Sequence, residues 1–165
     1  MKTRRAIYPG TFDPPHKGHL DLIERGAALV DELVVAVALN RGKEPAFTAE
    51  ERVDLLARLC EGMPSVRVVS FDGLVVELYR EVQASFLLRG IRTFADFEAE
   101  YTMALTNRAL ADPIHAETIF VLPSLEYSHY SSRHVKEIAS FGGRIREFLP
   151  DGIAEEIIER LGAPG

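Results

Sequence analysis

Gly10-Thr11-Phe12-Asp13-Pro14-Pro15-His16-Lys17-Gly18-His19 is the stretch that decides the fold. The apolar run Ala6-Ile7-Tyr8 before it reads as a strand. Leu20-Asp21-Leu22-Ile23-Glu24-Arg25 after it reads as the body of a helix. A turn with two histidines is thereby delivered to the C-terminal end of a first strand and the N-terminus of a first helix. Backbone N–H groups and the helix dipole favour anions there, and open α/β sheets place their ligands at such ends.

Outward from this turn, strand-like runs alternate with helical periods. Strands are predicted over 5–8, 33–39, 66–71, 85–88 and 118–122, and helices over about 18–30, 48–61, 74–83, 96–111, 131–140 and 151–161. All the runs but the third lack polar alternation, as expected when both faces of a parallel sheet are covered. Thr48-Ala49-Glu50-Glu51 has the spacing of a capping box. Asp96 reads as an N-cap or first-turn acid, Ser131 or Ser132 as a cap, and Gly142-Gly143 as a helix stop. The pattern predicts α/β: a single-domain, Rossmann-like, doubly wound parallel five-stranded sheet with helices on both faces. The domain spans 1–161, with 162–165 as a short C-terminal tail.

Composition narrows the class. With 165 residues, 47% hydrophobic and 27% charged, the chain can build one core without disulfides or metals. Its net charge of −6 argues against non-specific nucleic-acid binding. No apolar run approaches the ~20 residues that span a bilayer, and Lys2, Arg4 and Arg5 precede no signal-like segment. A soluble, cytoplasmic protein without nucleic-acid or membrane partners is expected. The single cysteine, Cys60, shares a helical stripe with Val53, Leu56 and Leu59 and reads as a buried structural thiol.

The residues just past each strand sharpen the picture. Thr11 and the histidines follow the first, Asn40-Arg41-Gly42-Lys43 the second, Arg89-Gly90-Ile91-Arg92 the fourth, and Pro123 through Arg133 the fifth. The third strand delivers Asp72-Gly73-Leu74-Val75, the least cationic set. One rim thus gathers cations and hydroxyls, with Gly10, Gly18, Gly42 and Gly90 expected to let backbone approach a ligand. Such a rim suits several phosphates.

For His16 and His19, three readings stay open at this level: packing, metal binding, or hydrogen bonding to phosphate. Arg89 follows a buried-looking run, where a guanidinium usually has an anionic partner. Asp96, Glu100, Met103 and Asn107 share a helix face, either solvated or turning Glu100 and Asn107 into the cleft. Tyr127 and Tyr130 either border a flat base or pack. There is no nucleophile-elbow serine motif, no Walker lysine motif and no Gly-x-Gly-x-x-Gly. Phosphates without a protein nucleophile suggest direct displacement at phosphorus.

Together these motifs resemble bacterial phosphopantetheine adenylyltransferases, within the nucleotidyltransferase superfamily marked by (His/Thr)-x-Gly-His. The likeness rests on Tyr-Pro-Gly-Thr-Phe-Asp-Pro at 8–14, His-Lys-Gly-His at 16–19 and Phe-Thr-Ala-Glu-Glu-Arg at 47–52. Arg-Gly-Ile-Arg at 89–92, Asp-Phe-Glu at 96–98, Glu100, Asn107-Arg108, Ser131-Ser132 and Val135-Lys136-Glu137 complete it. The resemblance implies adenylyl transfer from ATP to 4′-phosphopantetheine, with Mg²⁺ assisting and no resident metal site. It implies a homohexamer.

By the same resemblance, His19 and Thr11 are catalytic, His19 stabilising the transition state at the α-phosphate. ATP contacts would come from Thr11, Phe12, His19, Gly90, Ile91, Arg92, Glu100, Tyr127, Ser128, His129, Tyr130, Ser131, Ser132 and Arg133. Phosphopantetheine contacts would come from Thr11, Lys43, Leu74, Val75, Arg89 and Asn107. Four positions depart from the family pattern. Arg133 stands where a hydroxyl residue is common, Tyr127 for a frequent Trp, Tyr130 for an aliphatic residue and Thr106 for a frequent Met. Other transferases of the superfamily, and a non-catalytic nucleotide sensor, are the competing readings.

Overall fold

A computed structural model describes residues 3–39 and 44–165. Five strands, β1 (Arg5–Gly10), β2 (Glu32–Ala38), β3 (Val66–Phe71), β4 (Phe86–Gly90) and β5 (Thr118–Val121), form one parallel sheet in the order β3-β2-β1-β4-β5. Between and after them run α1 (Lys17–Ala27), α2 (Ala49–Leu59), α3 (Val75–Glu81), α4 (Phe94–Leu110), α5 (Ser132–Ser140) and α6 (Asp151–Leu161). The chain winds outward from β1 to β3, then returns to β4 on the other side of β1. The order therefore reverses between β1 and β4, and the crevice above that pair is the switch point.

Alternate residues of the central strands bury on opposite faces. Ala6, Tyr8, Leu33, Val35, Val37 and Leu88 pack with Leu22 and Ile23 of α1 and Leu56 of α2. Ile7, Val34, Ala36 and Leu87 pack with Val76, Leu78 and Tyr79 of α3. A third buried cluster contains no strand residue: Phe47 and Leu55 meet Val135 and Ala139 of α5 and Ile153 and Ile157 of α6. The expectation of helices on both faces holds, but α5 and α6 are laid against α2. The edge strand β5 departs from its predicted burial, with Ile119 exposed.

Boundaries move by a few residues for identifiable reasons. β1 runs on through Pro9 and Gly10 because both register with Ala36 and Val37 of β2. β4 likewise includes Arg89 and Gly90, paired with Phe120 and Val121. α4 begins before Asp96, because the Thr93 hydroxyl accepts from the Asp96 N–H and is the cap; Asp96 is a first-turn acid. The Thr48–Glu51 capping box forms as its spacing predicts. Ser131 caps α5, and Gly142, at φ +72°, closes it with Gly143 N–H donating to the Ile138 carbonyl. Cys60 caps the end of α2 and is buried, which pushes its thiol up to about 11. No helix among the described residues is long and apolar enough to cross a membrane.

Candidate active site

The turn between β1 and α1 is held by its own side chains. His16 caps α1: its Nδ1 accepts from the Gly18 N–H at 3.1 Å, while His19 Nδ1 accepts from the His16 N–H at 3.2 Å. This is a capping box built from two imidazoles in place of a hydroxyl and a carboxylate. The rings stack with centroids 3.7 Å apart. A nitrogen that accepts a hydrogen bond carries no proton, so the N–H of each neutral ring is on Nε2. Burial, helped by the nearby Arg92 charge, pushes His16 down to about 3. Burial, then His16, Arg92 and Arg89, hold His19 well below the usual imidazole range. His19 is thus a neutral Nε2–H donor at physiological pH.

Phe12 takes a left-handed backbone, φ +52°, with its ring buried edge-on to Tyr8 and His19. The glycines of this turn are also required by packing. A Cβ on Gly10 would lie 2.8 Å from the Phe12 ring, and one on Gly90 2.4 Å from a Leu22 methyl. Their missing side chains make room for packing inside the turn, and both positions also border the cleft at the switch point.

A cleft of about 240 Å³ opens at the switch point. It is lined by Thr11, Phe12, His16 and His19 from the first turn, Arg89, Gly90, Arg92 and Glu100 from β4 and α4, and Tyr127, Tyr130, Ser131 and Ser132 from the segment after β5. Three strand ends therefore converge as the rim reading anticipates. Arg89 grips Glu100 through Nε and Nη2, each at 2.6 Å, and its Nη1 donates to the Pro9 carbonyl. Burial alone would lower the Arg89 pKa, but the Glu100 carboxylate outweighs it and keeps the guanidinium charged. Three of its five N–H donors are committed, which leaves two for a ligand. Arg92 is braced by Asp96 and donates to the Tyr130 carbonyl at 2.7 Å, tying the 127–133 segment to β4.

A second cavity, about 260 Å³, lies beside the first and shares Pro9, Gly10, Thr11, Arg89 and Glu100 with it. Its remaining lining is Ala38, Val75, Met103, Ala104, Asn107 and Thr118, mostly apolar. A third, about 450 Å³, is bordered by Asp13, Glu44, Pro45, Arg52, Ser132, Arg133 and Lys136. Thr11 lines all three.

Other residues singled out from sequence fall elsewhere. Ile91 is buried and lines an apolar hollow with Phe94, Phe97 and Leu122. Leu74, half exposed at the start of α3, lines none of the three cavities, although its neighbour Val75 does. Ser128 donates its hydroxyl to the Leu125 carbonyl, and exposed His129 sits edge-on to Tyr130. Arg133 faces the third cavity. Lys43 and Gly42 lie outside the described residues. Met103 was missed as a lining residue, although its spacing from Glu100 and Asn107 marks the same helix face. Nothing in the spacing marks Ala38 or Thr118, which the sheet brings in.

Two of the acids lining these cavities are paired with cations. Glu100 is paired with Arg89, and Asp13 with Lys136 at 2.8 Å; among the described residues no three His, Cys, Asp or Glu side chains cluster to hold a metal. This donor set suits an anion, and suits a divalent cation that arrives on its phosphates and keeps its waters.

A cytidylyltransferase-like family model matches residues 7–138. A phosphopantetheine adenylyltransferase of Caldanaerobacter subterraneus subsp. tengcongensis is 49% identical over 158 residues, covering 96% of this chain and 98% of that protein. One from Synechococcus sp. is 50% identical over 153 residues, covering 93% and 92%. Among solved structures, a lipopolysaccharide core biosynthesis protein of Thermoplasma volcanium shares the fold, with a TM-score of 0.52 and 25% identity over 74% of this chain and 98% of that one.

Proposed function

Since this chain belongs to the phosphopantetheine adenylyltransferases of the cytidylyltransferase-like family, we propose that it transfers the adenylyl group of ATP to 4′-phosphopantetheine, giving 3′-dephospho-coenzyme A and pyrophosphate. The observation that carries this reading is Thr11, on the wall common to a polar cleft and an apolar one. The polar cleft takes Mg–ATP. The apolar one, with Val75, Met103, Ala104 and the buried Asn107 amide, takes the pantetheine arm. Their junction is where the two phosphates meet.

The pantetheine phosphate oxygen attacks the α-phosphorus of ATP in line, and pyrophosphate leaves from the opposite side. No covalent bond to the protein forms. His19 Nε2–H donates to the α-phosphate oxygen as its charge grows, and the Thr11 hydroxyl orients the attacking phosphate. Both act without proton transfer at the imidazole, which is neutral throughout. Arg89 directs its two spare donors toward the pantetheine phosphate, together with Lys43. Arg92, Glu100, Phe12 and the 127–133 segment frame the nucleotide, with the Ser132 and Arg133 N–H groups at the start of α5 facing its phosphates. Mg²⁺ held by the nucleotide's phosphates and its own waters would supply screening of the triphosphate charge.

We also read the chain as a cytoplasmic homohexamer. Phe94, Leu122 and Leu125 are 96%, 69% and 92% exposed on one chain, a cost that self-association removes. Sedimentation at the mass of a single 18.4 kDa chain would remove that part of the reading.

The central test is pyrophosphate release from ATP, Mg²⁺ and phosphopantetheine. Release is expected with this acceptor and not with nicotinamide mononucleotide, nor with CTP and an alcohol phosphate. Binding of ATP without release would turn the reading toward a sensor.

A further inference from the structure

Arg52 is a charged residue with 2% exposure, four residues into α2, and no part of the reaction described above uses it. Its side chain runs back along the helix, as long helical side chains do. Nη1 donates to the Thr11 carbonyl at 2.7 Å and to the Ala38 carbonyl at 3.1 Å. Nε donates to the carbonyls of Phe47 and Thr48 at 3.1 and 3.2 Å. One guanidinium thus gathers the end of β1, the end of β2 and the entry to α2.

Asp13 reinforces the same joint with the opposite charge. Its carboxylate accepts from the Ala46 and Phe47 N–H groups, both at 3.0 Å, and from Lys136 of α5. Thr11 itself is exposed and sits between the last strand residue, Gly10, and the left-handed Phe12. Its side chain can serve two substrates only if its backbone is fixed, and the bond to its carbonyl comes from Arg52.

We infer that Arg52 is a positioning residue for adenylyl transfer, holding the Thr11 carbonyl so that the Thr11 hydroxyl faces the attacking phosphate. This rests on the adenylyl-transfer reading. Arginine suits the task because its planar fork reaches several carbonyls at once, whereas a lysine offers one nitrogen. An ångström of drift at such a group costs rate far more than binding.

A double-mutant cycle separates positioning from a general role in folding. Arg52→Lys, Thr11→Ala and the double variant are compared with the wild type for kcat, for KM of each substrate and for Tm. Arg52→Lys is expected to lower kcat roughly 10- to 100-fold with little change in the KM for ATP. In the Thr11→Ala background the same change is expected to cost less than about twofold, because the group it positions is gone. Multiplied losses in the double variant, or an unchanged kcat in Arg52→Lys, would overturn the inference. Where Arg52→Lys fails to fold, Arg52→Gln is read in the same cycle. A wild type that releases no pyrophosphate removes the underlying reading, and this inference with it. An active wild type with multiplied losses removes this inference alone.

Discussion

Two of the three cavities that meet at Thr11, the polar cleft and the apolar one, are made in opposite ways. In the polar cleft the functional groups are held in place by hydrogen bonds: His16 by the Gly18 N–H, His19 by the His16 N–H, Arg92 by Asp96. In the apolar cavity Val75, Met103 and Ala104 offer shape, and Asn107 offers one amide. The first is a rigid set of donors, prepared before any ligand arrives. The second is a surface to be covered. Rigid donors act on a transition state, and coverable surface acts on affinity. Damage to the first should appear mainly in kcat, and damage to the second mainly in KM.

The sharpest way to break this contrast is His19→Ala. Loss of a preset donor at developing charge is expected to lower kcat by about 10²- to 10³-fold, with the KM for ATP nearly unchanged. Equal losses in rate and ATP affinity would merge the two classes. Next comes Arg89→Ala, at the shared wall. Two charge-assisted bonds to the pantetheine phosphate are lost, so its KM should rise by roughly tenfold or more, and the KM for ATP much less. A selective ATP defect would move Arg89 wholly into the polar cleft.

The stacked histidines give a pH signature confined to the polar side. A histidine held neutral in the fold gains its proton near pH 6.5 only when the chain unfolds, so stability is present above that pH and drains as pH falls toward the folded value, about 3 for His16. Between pH 7 and pH 5 this amounts to about 2 kcal/mol for His16. Thermal unfolding at the two pH values should show the drop, and His16→Asn, which keeps a capping acceptor, should reduce it. The His19 donor itself should add no limb to the kcat profile over that range. The smallest effect belongs to the other cavity. Met103→Ala removes an exposed side chain, so Tm should hold. KM for phosphopantetheine should rise by a few-fold, with kcat unchanged, consistent with ~1 kcal/mol of lost apolar cover.

Much of the architecture was legible because it is written locally. Uninterrupted apolar runs announce strands covered on both faces, and the Thr48 capping box and the Gly142 stop mark helix ends by chemistry within a few residues. The strand ends were harder, because Pro9-Gly10 and Arg89-Gly90 read as turns until neighbouring strands pair with them. In the site, the converging rim was legible from strand ends alone. The commitments of its side chains were not. Arg89 and Glu100 stand 11 residues apart on a strand and a helix, and only packing brings them together. Arg52 looks like any surface arginine in a helical period; its burial follows from three segments converging, which no local pattern encodes. The glycines carry a signal that stops short of its cause. A residue without a side chain signals that space is needed, and the sequence is silent on whether ligand or protein fills it.

The imidazole box at the start of α1 makes two events inseparable. The first turn of that helix closes only when His16 and His19 exchange their hydrogen bonds, and His19 is aimed only when that turn is closed. A chain whose α1 frays is therefore disarmed before it is unfolded. Amide exchange at Gly18 becomes a direct gauge of how many molecules, at any instant, are armed.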